Sequence, residues 1–148
     1  MRRGRRLGVD VGDVRIGVAV SDPEGILATP VETVAAGPGA IERLAVLVRE
    51  LDVLECVVGL PMGLSGREGP AAIKVRAFCV ELRTAIAPVP IRLFDERMST
   101  VSANNLLRQG GRSTRATRTI VDQAAATVIL QTALDSERIR GSAPGESM

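Results

Sequence analysis

The hydrophobic period of this 148-residue chain turns from alternating to largely helical after its first third, and that change constrains its fold. Near the amino terminus, apolar residues alternate. Leu7, Val9 and Val11 share one face of a strand, and Gly8, Asp10 and Gly12 share the other. Arg15 to Val20 reads as a second strand across the short Gly12-Asp13-Val14 turn. Ile26 to Val34 reads as a third, beyond the Asp22-Pro-Glu-Gly25 turn, with Pro30 marking a sheet edge. After the Gly37-Pro-Gly39 loop the spacing becomes helical, with Ile41, Leu44, Ala45, Val48 and Leu51 on one face of a helix over 40–51.

Two short apolar runs interrupt the helical pattern. Cys56-Val-Val58 stops at Gly59 and leads into a Leu60-to-Gly66 loop. Pro70 opens a helix at the position where a missing N–H costs least, and Val75, Phe78, Cys79, Leu82 and Ile86 form its buried stripe. Pro88 and Pro90 end it, and Ile91 to Phe94 is a strand running into Asp95-Glu96. A helix from about Ser99 to Gln109, a Gly110-Gly111 break and a last helix from about Thr119 to Arg138 follow. A β-meander followed by two α-then-β units gives a mixed sheet with helices on its faces, since such crossovers add parallel strands. The length suits one domain, expected over residues 1–138, with 139–148 a frayed tail.

Composition removes several chemistries. The chain has no His, Trp or Tyr, and two Phe. Histidine triads and histidine metal sites are excluded, and a base-stacking platform is nearly so. Cys56 and Cys79 match no zinc pattern and read as core residues. With neither a signal peptide nor a membrane span in the sequence, a cytoplasmic location with reduced thiols is expected. Carboxylates, hydroxyls and arginines remain. Arg2, Arg3, Arg5 and Arg6 open the chain, and Arg108, Arg112, Arg115 and Arg118 fall in a stretch without acids. The rest of the chain is net acidic, so these clusters suit a polyanion contacted at defined places.

Asp10 is the sharpest single signal. It sits in mid-strand, where Asp is disfavoured, between two glycines on its own face. Asp95 and Glu96 close a later strand, at the end where α/β sheets bind ligands. Adjacent strand residues face opposite ways, so one of the two faces the site, and either could pair with Arg97. Asp122 falls in the first turn of the last helix, on the stripe of Ala125, Ala126 and Ile129. It could equally be a capping residue. Carboxylates from a first strand, a later strand end and a last helix can converge on hard divalent cations.

Four segments together resemble one family: Leu7 to Asp22, Val57-Val-Gly-Leu-Pro-Met-Gly63, Asp95-Glu-Arg-Met-Ser-Thr100 and Val121 to Gln131. In this order they are similar to the signature blocks of the YqgF family, whose members are described as Holliday-junction resolvases and as nucleases for the 5′ end of pre-16S ribosomal RNA. The resemblance implies a ribonuclease-H-like fold with five strands in order 3-2-1-4-5. It implies a catalytic and metal-binding set of Asp10, Glu96 and Asp122, which selects Glu96 over Asp95, and a cofactor of Mg2+ or Mn2+. One departure is visible. Many members carry a Lys just before the Val-Asp of the last block, where this chain has Thr119-Ile120. A phosphate contact made by that Lys would come from Arg118 here or be missing.

The expected activity is metal-dependent hydrolysis of phosphodiester bonds in pre-16S rRNA, with a DNA four-way junction as the alternative substrate. Gly59, Pro61 and Gly63 are expected to let backbone approach substrate phosphates. Arg112, Arg115 and Arg118 are expected in a flexible loop that grips the nucleic-acid backbone. RNA is favoured over DNA as partner, no membrane is involved, and the chain would act as a monomer or a homodimer. Two readings of other classes compete. Asp10, Gly12 and Gly17 fit the phosphate hairpin of actin-like phosphotransferases, which need two such domains. A non-catalytic RNA-binding module is the other.

Overall fold

A computed structural model describes residues 1–63, 65–98 and 115–148, with backbone course alone for 115–122. The meander is present as β1 (Arg5–Val11), β2 (Arg15–Ser21) and β3 (Ala28–Ala35). Helix α1 (Ala40–Glu50), β4 (Val53–Leu60), α2 (Pro70–Ile86) and β5 (Ile91–Asp95) follow. A single 3-10 turn (Glu96–Met98), helix α3 (Arg115–Arg140) and a two-residue strand β6 (Glu146–Ser147) complete the described elements. The strands form one sheet in order β3-β2-β1-β4-β5-β6. The β1–β2 and β2–β3 pairs are antiparallel, and β1–β4 and β4–β5 are parallel.

The mixed sheet and the edge position of β3 follow the sequence pattern. Strand β3 starts two residues later than expected. The Asp22 carboxylate accepts the backbone N–H groups of Glu24, Ile26 and Leu27 at 2.7–3.1 Å, which holds Ile26 and Leu27 in the turn. Five strands become six. The tail expected to fray pairs antiparallel to β5, with Leu93 opposite Glu146 and Arg92 opposite Ser147. The Arg92 guanidinium donates to the carbonyls of Pro144 and Gly145, and the Met148 N–H donates to the Ile91 carbonyl. An edge strand that would otherwise offer unpaired backbone groups is covered.

Helix α3 begins at Arg115 rather than near Thr119 and continues to Arg140. No glycine or proline falls within residues 115–140, so nothing local stops the helix there. The helix expected over 99–109 and the Gly110-Gly111 break lie outside the described residues.

Each face of the sheet buries its own core. On one face Leu7, Val9, Ile16 and Val18 pack with Leu44 and Val48 of α1 and Val75, Cys79 and Leu82 of α2. Both cysteines are buried and reduced there. On the other face Ala19, Val57 and Phe94 meet Ala125, Ala126, Ile129, Leu130 and Ala133 of α3. Small residues let α3 lie close to the sheet. A Cβ at Gly8 would stand 2.7 Å from Leu130 Cβ and 3.2 Å from the Ala126 carbonyl oxygen.

Two of the amino-terminal arginines, Arg2 and Arg6, are spent within the fold, while Arg3 and Arg5 are exposed. Arg2 Nη2 reaches Glu55 Oε1 at 2.8 Å and Arg2 Nε reaches Glu137 Oε1 at 2.6 Å. Arg6 Nη2 reaches Glu137 Oε2 at 2.8 Å. Arg6, Glu55 and Glu137 are 1–3% exposed. Arg2 and Arg6 therefore tie the chain's start to β4 and α3, and the expectation that they form a polyanion contact is withdrawn.

Candidate active site

Asp10 lies near the carboxyl end of β1, on the face covered by α3. Its antiparallel partner on β2 is Gly17, and its neighbours on that face of β1 are Gly8 and Gly12. On the other side, the β1–β4 register pairs Val9 with Val58, which brings Gly59 beside Asp10. Asp10 is thus surrounded by residues without side chains. The sequence pattern identifies Gly8 and Gly12 in this role. Gly17 and Gly59 join them only through strand pairing.

Glu96 enters the same patch from β5. The strand ends at Asp95 and turns into the 3-10 segment at Glu96, so simple alternation stops applying there. Two contacts place the Glu96 side chain. It hydrogen-bonds to the Asp10 carboxyl. It also lies over Gly59, where a Cβ would stand 2.8 Å from Glu96 Oε1 and 2.6 Å from Ile129 Cδ1. A side chain at 59 would displace the Glu96 carboxylate and the tip of Ile129. Asp95 faces elsewhere and holds Arg97. Arg97 Nη2 donates to Asp95 Oδ2 at 2.6 Å, and the Arg97 backbone N–H donates to Asp95 Oδ1 at 2.9 Å.

Electrostatics distinguish these adjacent acids. The Glu96 carboxyl is pushed up to about 7, chiefly by burial and then by the neighbouring Asp10 and Asp95 charges. Asp95 is pulled below the usual carboxylate range by its bonds to Arg97. A buried carboxyl near 7 that shares a hydrogen bond with a second carboxyl holds a proton which a cation can replace. The donor set is all oxygen, the surrounding glycines leave room for close approach, and hard divalent cations such as Mg2+ or Mn2+ prefer these ligands. The pair fits that group. Among the described residues there is no cluster of three His, Cys, Asp or Glu that would enclose a metal by itself.

The remaining expected residues divide clearly. Asp122 is on α3, three and four positions before Ala125 and Ala126, and its side chain lies outside the described residues. Arg112 also lies outside them. Arg115 and Arg118 stand on the first turns of α3 rather than in a loop, and their side chains are outside the description. Pro61 and Gly63 belong to the loop after β4. Gly63 donates its N–H to the Arg67 carbonyl at 3.0 Å and accepts from the Gly66 N–H at 2.9 Å, so this loop is a tight turn. Gly59 has a packing reason to be glycine beyond any substrate contact. The sequence offers Arg97 as a counterion for Asp95 or Glu96, and the structure pairs it with Asp95.

Two solved structures of Thermus thermophilus RuvC share the fold. One, in complex with a Holliday junction substrate, has a TM-score of 0.63 at 18% identity, covering 95% of this chain and 99% of that one. The other has a TM-score of 0.61 at 17% identity, covering 97% and 99%. Sequence relatives are much nearer. A Streptomyces avermitilis protein is 61% identical over 100% of this chain and 96% of its own length. Relatives from Streptomyces coelicolor and a Nocardioides species are each 60% identical, covering 100% and 99% of this chain. All three are provisionally named pre-16S rRNA nucleases. The family model described as RuvX, Holliday junction resolvase, matches residues 4–136, and the chain belongs to that family.

Proposed function

We propose that this protein is a divalent-metal-dependent nuclease that hydrolyses phosphodiester bonds at the 5′ end of pre-16S rRNA, with Asp10, Glu96 and Asp122 as its acidic set. The observation that carries this reading is the Asp10–Glu96 carboxyl pair, hydrogen-bonded on a glycine-lined patch at the carboxyl ends of parallel strands. The names of relatives at 60–61% identity support the RNA substrate. When bound, Mg2+ or Mn2+ would supply Lewis-acid stabilisation of the charge that develops on the phosphate. Asp10 and Glu96 would hold it, and the proton they share would leave as it enters. Gly59 keeps Glu96 within reach of Asp10. Asp122 is assigned by family resemblance and by its position on the helix above the pair. Pro61 and Gly63 are proposed to bring loop backbone near the substrate. Arg112, Arg115 and Arg118 are proposed to neutralise its phosphates, because basic residues ahead of Asp122 would be carried on or beside the start of α3.

The family description favours a second reading, cleavage of a four-way DNA junction. That reaction needs two paired sites and hence a symmetric dimer, whereas RNA trimming needs one. The test is cleavage by the purified protein with Mn2+, of a labelled pre-16S 5′ fragment and of a synthetic junction. Cutting of the RNA, abolished in Asp10→Asn, is expected. Cutting of the junction alone would replace the substrate assignment. Wild-type turnover in Asp10→Asn would overturn the metal-site reading.

A further inference from the structure

Arg97 follows Glu96 directly, and its guanidinium is built into place. Asp95 takes Arg97 Nε at 3.0–3.1 Å on both carboxylate oxygens and Nη2 at 2.6 Å. The same carboxylate accepts the Arg97 backbone N–H at 2.9 Å, so the fork is fixed to the turn that carries it. The remaining nitrogen, Nη1, points to the β4–α2 loop. A Cβ at Gly66, where φ is +81°, would stand 3.3 Å from it. A side chain there would crowd the guanidinium, and the positive φ already favours glycine. The Arg97 side chain remains 41% exposed.

This arrangement differs from Arg76, whose fork is filled on two sides. Arg76 Nε meets Glu68 at 2.5 Å and its Nη1 meets Glu146 at 2.8 Å. Arg97 has one carboxylate, which occupies Nε and Nη2. No described hydrogen bond uses Nη1. The next residue along the facing loop is Arg67, which is exposed and forms no ion pair among the described residues. Two cationic side chains, Arg97 and Arg67, therefore lie on the turn after β5 and on the loop after β4, and Arg97 is oriented by Asp95 with Nη1 outside any described hydrogen bond.

We propose that Arg97, held by Asp95, is a phosphate-binding residue that anchors the substrate backbone beside the Asp10–Glu96 pair. The inference rests on the nuclease reading and names a contact within it. A guanidinium suits the task because its planar fork can keep one edge on a carboxylate while another binds a phosphate oxygen. Asp95 acts as a positioning residue. It makes no substrate contact, and it sets the orientation of the fork in the free protein so that less freedom is lost on binding.

Two readouts test this. Fluorescence anisotropy of a labelled oligoribonucleotide measures affinity against salt with EDTA present, so it needs no turnover. Steady-state cleavage with Mn2+ separates KM from kcat. Arg97→Ala is expected to weaken binding and raise KM about tenfold, the usual scale for one charge-assisted bond. It should flatten the salt slope by about 0.7, one phosphate on a single strand. Arg97→Lys should restore the slope and recover only part of the affinity, because the charge returns without the fork. Asp95→Asn should raise KM less and leave the slope unchanged. Wild-type affinity and slope in Arg97→Ala would overturn the proposal. So would full recovery of affinity in Arg97→Gln, which has no charge. If Arg97→Ala does not fold, a normal KM in Arg97→Lys overturns it and a raised KM with a normal slope supports it. Failure of the nuclease reading shows separately, as absence of Mn2+-dependent RNA cleavage by the wild type while the anisotropy result stands.

Discussion

At the amino-terminal ends of β1 and β4, Glu55 and Glu137 meet Arg2 and Arg6. At the carboxyl ends of β1 and β5, Asp10 and Glu96 meet each other. Arg6 and Asp10 are four residues apart on one strand, roughly 13 Å at about 3.3 Å per residue. The basal acids are almost fully buried, and guanidinium groups from the same chain neutralise them. At the other end, the described surroundings of Glu96 are burial and two more carboxyls, all of which push its pKa upward. The comparison teaches what a buried acid needs. Where the chain supplies its own cation, the acid holds the fold together. Where the described neighbours raise the pKa instead, the acid costs stability when ionised and suits a cation from solution.

The largest effect should come from breaking the basal network. Glu137→Ala leaves Arg6, which is 1% exposed, without its carboxylate and should destabilise the protein by about 3–5 kcal/mol in urea unfolding. A loss below about 1 kcal/mol would mean that the network is not structural. Gly8→Ala comes next. Its new methyl group must push Leu130 and the α3 backbone outward, at a cost of about 1–3 kcal/mol. Gly59→Ala makes a similar clash but with Glu96 Oε1 as well as Ile129. Cleavage should therefore fall further than its melting temperature would suggest, and a proportionate fall in both would assign Gly59 to packing alone.

The smallest effect is a gain. Glu96 is held near 7 in the folded protein against 4.5 ordinarily. A carboxyl whose folded pKa is raised contributes its full stability below the unfolded value and loses it as pH rises through the folded one. Metal-free wild type should thus lose about 1–2 kcal/mol between pH 5 and pH 8 relative to Glu96→Gln, which cannot ionise. Melting temperatures of the two should converge at pH 5 and separate at pH 8 with the glutamine variant higher. The reverse order at pH 8 would mean that the ionised Glu96 is stabilised in the fold, as Glu55 and Glu137 are.

The two ends also differ in how much of them can be read without a structure. Asp10 stands out locally, because a charged residue between glycines in an alternating strand violates its own pattern. The meander and the crossovers are legible for the same reason, since period and turn residues lie close in sequence. The choice of Glu96 over Asp95 is not local. Alternation ends where β5 turns, and only family resemblance selected Glu96. The basal network is invisible in the sequence. Arg6 and Glu137 are 131 residues apart, and nothing near either marks a partner. The same blindness hid the docking of the tail, where Arg92 and Arg76 act on residues more than fifty positions away.

Asp10 and Glu96 are proposed as a cation site, whereas Glu55 and Glu137 form an internal ion network with Arg2 and Arg6. The most direct measurement is the melting temperature of wild type and Asp10→Asn with and without Mn2+ at pH 7.5. Mn2+ should raise the melting temperature of the wild type by several degrees, because a ligand that binds only the folded state stabilises it. Asp10→Asn should melt at or above the metal-free wild-type temperature and show little or no Mn2+ shift. An equal Mn2+ shift in both proteins would place the cation elsewhere and contradict the account.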